Sequence, residues 1–277
     1  MIASIVIPAR NRNELAQRAV DSVLNQPDSA LVQIIIVDDA SDRPLAFSGL
    51  RAQDIIIRNS SCVGAAVSRN RGIDAASGDV IYLLDSDDEF LRREFIKDFD
   101  SLRTRPGVQY CQIMSNGYRS DFPERLCQER FLSDVFGRQR FVAQTSSLCF
   151  PAALGLRFDE SLPKHQDWDF IFMALRGGHS VHLGPGSIHF DRADSNSLSR
   201  APSNGRSATW IKKLQLLEES GESLEIDTGV VEALLTNRLF DRRTLLHVPA
   251  LRLILSPRIT AMSKAKFLFR GFSEIIR

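Results

Sequence analysis

Short apolar runs in the first third of the chain restrict its fold more than any other feature. "IASIVIP", "LVQIIIVDD", "DIIIRN" and "DVIYLLD" read as strands. Apolar residues at helical spacing fill "ELAQRAVDSVLNQ" and "VGAAVSRNRGIDAAS", the second expected to close at Gly78. Pro8 is expected to stop the first strand. After the fourth, "EFLRREFIKDFDSLRTRPG" is expected to be a helix halted by Pro106 and Gly107. Unbroken apolar strands are buried on both faces. The pattern therefore predicts a parallel sheet covered by helices on each side, an α/β fold.

The middle of the chain is less regular. "GVQYCQIMS" and "TSSLCF" read as further strands and "DWDFIFMALRGG" as a helix with a glycine stop. Residues 118–141 are polar and carry no clear pattern, whereas 191–208 read as a loop and helical patterns run from about Ala208 to the end. A length of 277 residues fits one large α/β domain or one domain with an appendage. The net charge of +1 gives no sign of a nucleic-acid partner, and none is expected. Cys62, Cys111, Cys127 and Cys149 are widely spaced without a CxxC pair, which predicts reduced thiols in a cytosolic protein and no structural zinc. The first apolar stretch is short and lacks a basic segment before it, and no run approaches the roughly 18 apolar residues of a spanning helix. Neither a signal peptide nor a transmembrane helix is expected.

Charge changes near the C-terminus. From Arg242 onward the basic residues Arg243, Arg252, Arg258, Lys264, Lys266, Arg270 and Arg277 face the single acid Glu274. In "SKAKFLFRGFSEIIR" the apolar residues form a helical stripe, with Lys266, Arg270 and Arg277 on another face. Such a helix is expected to lie on the surface of an anionic membrane, the alternative being a place against the catalytic domain with its basic face in water.

Three of the strands end in polar signatures: Pro8-Ala9-Arg10-Asn11-Arg12, Asp38-Asp39-Ala40-Ser41-Asp42, and Asp85-Ser86-Asp87-Asp88. Each alone suits a turn or a helix cap. An open parallel sheet binds ligands beyond the C-terminal ends of its strands, so the three together point to one site. The chain has no GxGxxG after the first strand and no GxxxxGK[ST], so neither a dinucleotide site nor a P-loop is expected. Bound phosphate would then need a metal ion and side chains. The hard oxygens of Asp85 and Asp87 suit Mg²⁺ or Mn²⁺ bridging to a diphosphate.

"SIVIPARNR", "QIIIVDDASD", "NSSCVGAAVSRNRGIDAASGDVIYLLDSDD", "TSSLCFPAALGLRFDESL" and "HQDWDFIFMALRGG" occur in the order found in family 2 inverting glycosyltransferases, which the chain resembles over roughly residues 1–200. The resemblance implies a GT-A fold, a Rossmann-like, mostly parallel nucleotide-binding sheet flanked by helices. It implies a glycosyltransferase domain over 1–205 and a helical C-terminal extension over 206–277. It implies a nucleotide-diphosphate sugar as donor, a UDP-sugar first, and a saccharide or lipid-linked saccharide as acceptor in exopolysaccharide or lipopolysaccharide assembly. The enzyme would work in the cytoplasm, on or near the inner face of the membrane.

Residue by residue, the resemblance places Pro8, Ala9 and Asp39 beside the base and ribose of the donor, and Arg69 near the same nucleotide. Asp85 and Asp87 match the DxD pair, with Asp87 in direct contact with Mn²⁺ or Mg²⁺ and Asp85 at metal and donor. Asp88 is expected to cap the next helix or to lie in its first turn. "QDWD" stands where the family carries its base, making Asp167 the candidate that takes the acceptor's proton. Read without the other motifs, Asp167 and Asp169 would be first-turn acids stabilising a helix. Trp168 suits a sugar-stacking or a core position equally. One departure stands out: Asp194, with Arg192 two residues earlier, occupies the place of a His that many relatives use toward the metal or diphosphate, and His189 lies nearby. Two alternatives remain open, a sugar-nucleotide nucleotidyltransferase and an inactive relative that binds nucleotide or sugar. "PARNRNEL" is unlike the Gly-rich loop of the first, and the retained DSD and QDWD speak against the second.

Overall fold

The computed structural model describes residues 2–115, 118–120, 122–128, 131, 135, 144–190 and 207–221. Strands β1 (Ala3–Ala9), β2 (Val32–Asp38), β3 (Ile55–Arg58) and β4 (Val80–Leu83) are parallel and lie in the order β3-β2-β1-β4. All seven residues of β1 and all seven of β2 are buried, as their unbroken apolar sequences require. One face packs Ile5, Ile7, Ile34 and Ile36 with Ala19, Val20 and Val23 of helix α1 (Asn13–Leu24). On the other face, Val6 and Val37 press so closely on Gly72 of helix α2 (Ala65–Asp74) that a β-carbon there would lie 2.3 Å from Val6 Cγ1. From β1 the chain runs first to β2 and β3 on one side, then returns to β4 on the other. This reversal is the switch point at which open α/β sheets bind ligands.

The chain continues through β5 (Asp88–Arg92), helix α3 (Phe95–Thr104), β6 (Gly107–Ser115), the two-residue strands β7 (Tyr118–Arg119) and β8 (Arg125–Leu126), then β9 (Leu148–Pro151), helix α4 (Gln166–Arg176) and β10 (Ser180–Phe190). Beyond β4 the sheet order is β9-β6-β10-β5. β9 is antiparallel to both β4 and β6, β10 is parallel to β6, and β5 closes the edge antiparallel to β10. Because β9 runs against its neighbours, its N-terminal end lies at the edge where β4 finishes. This inversion supplies a residue to the site.

The structure corrects several element expectations. β1 passes through Pro8 instead of stopping there. Val6 accepts from Leu84 N–H on the β4 side and Ala9 from Asp39 N–H on the β2 side, so Pro8 faces the β4 side beyond that strand's last residue, where no N–H is needed. The expected helix after the fourth strand starts only at Phe95, and Asp88–Arg92 is a strand. Asp88 and Phe90 are buried while Leu91 is half exposed, so its burial has period two. Gly78 does not end α2, which stops at Asp74; a β-carbon at Gly78 would lie 2.2 Å from the carbonyl carbon of Ala3, so this glycine lets the chain cross β1 closely. Residues 180–190, to which the sequence pattern assigned no element, form β10, whose register shifts between Leu183 and Ser187 to absorb Gly184, Pro185 and Gly186.

The described residues fall into two compact units. One comprises residues 2–125, 144–160 and 166–190, and the other 126–128, 131, 135, 161–165 and 207–221. In the second, helix α5 (Ala208–Glu219) buries Trp210, Ile211 and Leu214. Ser207 Oγ and His165 Nε2 share a 2.8 Å hydrogen bond, and the His165 and Trp210 rings lie 5.3 Å apart. Asp194, Arg192 and the basic C-terminal segment lie outside the described residues. Among the described residues, no helix is long and apolar enough to cross a membrane.

Candidate active site

The turn after β4 is closed by its own backbone and by one hydroxyl from a distant segment. Asp88 N–H donates to the Asp85 carbonyl at 3.0 Å. Ser146, in the short turn before β9, accepts from Asp85 N–H at 2.9 Å and donates its hydroxyl to the Asp88 carboxylate. Ser146 and Asp88 are both buried. Asp88 is thus an inward anchor at the start of β5 and does not cap a helix, because the pairing of β5 with β10 occupies the residues that would have formed it. The anchor leaves Asp85 and Asp87 at the open edge.

Each of these two carboxylates meets a guanidinium. Arg12 Nη1 lies 2.8 Å from Asp87 Oδ2, and Arg69 Nη2 lies 2.6 Å from Asp85 Oδ1. Burial pushes the Asp87 carboxyl above the usual range, the nearby Asp85 charge pushes it further, and Arg12 opposes both. Arg69 has partners beyond Asp85. Its Nη1 donates to Gln166 Oε1 at 2.8 Å, and its guanidinium lies 5.2 Å over the Phe158 ring. Phe158 in turn stacks on Phe170 of α4 at 4.7 Å, and Asn70 locks the Phe158 backbone with two hydrogen bonds.

Arg69 therefore joins the end of β4 to the first residue of α4. Asp167 follows Gln166, and its Oδ1 accepts from Trp168 N–H at 2.9 Å. Crowding by protein raises its carboxyl to about 6; Trp168 N–H and Arg69 pull it down, while Asp85 pushes it up. Asp85, Arg69 and Asp167 thus share one electrostatic environment although they stand in the turn after β4, on α2 and on α4. A carboxylate poised near 6 is charged at neutral pH and basic enough to accept a proton. Asp169 is buried, Trp168 is half-buried, and His189 sits within β10 opposite Glu89.

The second group forms around β1 and β2. Ala9 accepts from Asp39 N–H at 2.9 Å, and Pro8 and Ala9 are buried. The Asp39 carboxylate takes four donors: Val63 N–H at 2.8 Å, Gly64 N–H at 2.9 Å, Asn59 Nδ2 at 2.9 Å and the Cys62 thiol at 3.4 Å. Burial raises its pKa, but these bonds outweigh burial and hold it below the usual range. Hydrogen bonds to a charged group contribute about 1.5–3 kcal/mol each, so Asp39 is the clasp of the 59–64 loop. Asn59 Nδ2 also donates to Ser68 Oγ at 3.0 Å, beside Arg69, which ties the two groups together. Ala40 and Asn11 adopt left-handed backbone with φ of 53° and 54°, and Asn11 N–H donates to Ser41 Oγ at 2.9 Å. The loops after β1 and β2 are thus fixed against each other.

Among the described residues, no cluster of three or more His, Cys, Asp or Glu is arranged around a cation. The donor set nevertheless fits Mg²⁺ or Mn²⁺. Asp85 and Asp87 are crowded enough to oppose each other's charge, and such ions take one or two carboxylates, completing their shell with water and phosphate oxygens. Sequence reading passed over Arg12, Ser146, Gln166 and Phe158. All four stand inside motif stretches, but their contacts join residues 61 to 97 positions apart or stack rings from separate segments, which spacing along the chain does not reveal.

A mostly parallel sheet with a switch point and acids at its strand ends defines an α/β protein of GT-A type. Residues 4–160 match the model of glycosyl transferase family 2, and the chain belongs to that family. It is 30% identical over 197 residues to the amylovoran biosynthesis glycosyltransferase AmsB of Erwinia amylovora, covering 63% of this chain and 64% of AmsB. It is 33% identical over 94 residues to a GalNAc(5)-diNAcBac-PP-undecaprenol beta-1,3-glucosyltransferase of Campylobacter jejuni, covering 32% of this chain and 30% of that one. The chain thus spans less than two thirds of the length of these curated relatives. Among solved structures, S. aureus TarS 1-349 in complex with UDP-GlcNAc superposes with a TM-score of 0.58 at 16% identity, covering 99% of this chain and 73% of that one. That likeness establishes the GT-A fold.

Proposed function

We propose that this protein is an inverting glycosyltransferase that moves a sugar from a nucleotide-diphosphate donor, a UDP-sugar first, to a saccharide or lipid-linked saccharide acceptor. The observation that carries the reading is Arg69, which bridges Asp85 at the end of β4 to Gln166, one residue before Asp167. Donor-side acids and a carboxyl with a pKa of about 6 are thereby gathered at one edge of the sheet. The TarS structure with UDP-GlcNAc supports a UDP-sugar, and the printed name of the C. jejuni relative supports an acceptor on PP-undecaprenol.

Pro8, Ala9 and Asp39 border the base and ribose, and Arg69 neighbours the same nucleotide. Asp85 and Asp87 would hold Mn²⁺ or Mg²⁺, which would supply positive charge toward a diphosphate leaving group. Asp167 takes the proton from the acceptor hydroxyl as its oxygen attacks the anomeric carbon. The sugar–phosphate bond breaks on the opposite face, and one displacement inverts the configuration. The catalytic part is residues 1–205, and residues 206–277 form a C-terminal extension whose basic stretch meets the cytoplasmic face of the membrane. The setting is exopolysaccharide or lipopolysaccharide assembly.

The test is turnover of a panel of nucleotide sugars with and without Mn²⁺. We expect Mn²⁺-dependent turnover of at least one UDP-sugar, falling about 100-fold or more in Asp167→Asn, the scale of a lost general base. Absence of turnover across the panel, or an Asp167→Asn variant as fast as wild type, would sink the mechanism.

A further inference from the structure

We infer that the buried ion pair of Arg93 and Asp98 is a positioning device for the DSD turn, holding Ser146 where its hydroxyl fastens Asp85. The inference rests on the proposed role of that turn toward metal and donor diphosphate.

The pair is sealed from water, with each side chain only 1% exposed. Arg93 Nη1 lies 3.0 Å from Asp98 Oδ2, and the same oxygen accepts the Tyr82 hydroxyl at 2.9 Å. Tyr82 stands on β4, three residues before Asp85, whereas Arg93 follows β5, five residues after Asp88. The pair therefore ties together the two strands that the turn connects. The other arm of the guanidinium reaches further segments. Its Nη2 donates to the Ser147 carbonyl at 3.3 Å and to Cys111 Sγ on β6 at 3.0 Å. Ser147 is the chain neighbour of Ser146 in the short turn before β9. Nη1 also donates to the Pro185 carbonyl in the irregular part of β10 at 3.4 Å, and Arg93 N–H donates to Gln26 Oε1, just after α1, at 2.7 Å.

Stability alone does not account for such a pair. Withdrawing two charges from water costs about what their attraction returns, and apolar residues of similar volume often serve a fold as well or better. Arg93 Nε and Asp98 Oδ1 are buried without a hydrogen-bond partner among the described residues, which adds to the cost. What the pair supplies is direction. A planar guanidinium fixes the angles at which its partners stand, whereas an apolar core of the right volume loses uniqueness before it loses stability. Ser146 Oγ must accept from Asp85 N–H and donate to Asp88 at once, which leaves little tolerance in where its backbone lies.

Steady-state kinetics and calorimetric melting of full-chain variants test this, with Mn²⁺ and the UDP-sugar that wild type turns over. In Tyr82→Phe/Arg93→Met/Asp98→Leu both charges leave together, so no lone buried charge remains. This variant should melt at or above the wild-type temperature. Its kcat/KM for the donor should nevertheless fall about 10- to 100-fold, the scale of a misplacement of up to about 1 Å. The Mn²⁺ concentration for half-maximal turnover should rise as well. Ser146→Ala should show the same two defects. Added to the triple variant, it should cost less than about twofold more, because both act through one contact. Arg93→Lys keeps a charge for Asp98 without the fork that reaches Ser147. It should lose turnover too, and it carries the test if the triple variant does not fold. Wild-type kinetics in the folded triple variant or in Arg93→Lys overturns the positioning role. So do losses that multiply in full when Ser146→Ala is added, or a melting temperature that falls in step with turnover. A wild type that turns over no nucleotide sugar instead overturns the glycosyltransferase reading, and the positioning role with it.

Discussion

Asp167 shows how a useful group carries a thermodynamic penalty. Its carboxyl titrates near 6 in the folded chain against an ordinary 3.8, so the folded state holds the proton more tightly than the unfolded chain. A raised carboxyl contributes full stability below about pH 3.8 and loses it as pH rises through about 6. At neutral pH the charged base is therefore a net cost to the fold. We expect Asp167→Asn to melt about 2 °C or more above wild type at pH 7.5, with the gain vanishing near pH 4, by differential scanning calorimetry. Turnover by wild type should fall as pH drops through about 6, as the base becomes protonated. Melting points that are equal at both pH values would show that the site does not strain this carboxyl. At this scale the sequence exposes chemistry but not partnership. "DSDD" and "QDWD" announce their acids, yet nothing in the chain says that Asp88 turns inward to Ser146 while Asp87 turns outward to Arg12.

Among the elements, legibility followed burial on two faces. β1, β2 and β4 are continuous apolar runs, because each is covered on both sides, and they could be found by eye. β5 could not, since "DEFLR" continues smoothly into a helix and only pairing with β10 decides its conformation. β10 was hidden by Gly184, Pro185 and Gly186, whose usual meaning is a turn; its neighbour β6 holds the strand on both sides of the irregularity. Gly78 was noticed for the wrong reason. Its N–H donates to Ser4 Oγ at 2.9 Å, and there is no room for a β-carbon against the Ala3 and Ser4 backbone. We expect Gly78→Ala to destabilise the protein by about 3 kcal/mol in urea unfolding, the upper range for forced overpacking, because backbone cannot swing aside as a side chain can. A loss below about 0.5 kcal/mol, the size of an ordinary surface change, would mean that β1 yields easily.

Over the whole molecule, the catalytic reading and the membrane reading stand on different residues and separate cleanly. If the basic stretch after Arg242 meets an anionic surface, the full chain should cosediment with vesicles containing phosphatidylglycerol and not with neutral ones. Replacing Lys264, Lys266 and Arg270 by Glu should abolish the association while leaving turnover of a soluble acceptor unchanged. Cosedimentation that survives the reversal would assign membrane contact to another surface. The inverted strand β9 has a consequence of its own for how such a chain is made. β4 finds its second neighbour only in β9, and 64 residues separate Leu83 from Leu148. At roughly 5–20 residues per second, a ribosome takes about 3 to 13 s to deliver that neighbour. Throughout that interval a central, wholly apolar strand presents a bare edge, so the nascent chain is open to mispairing until β9 emerges.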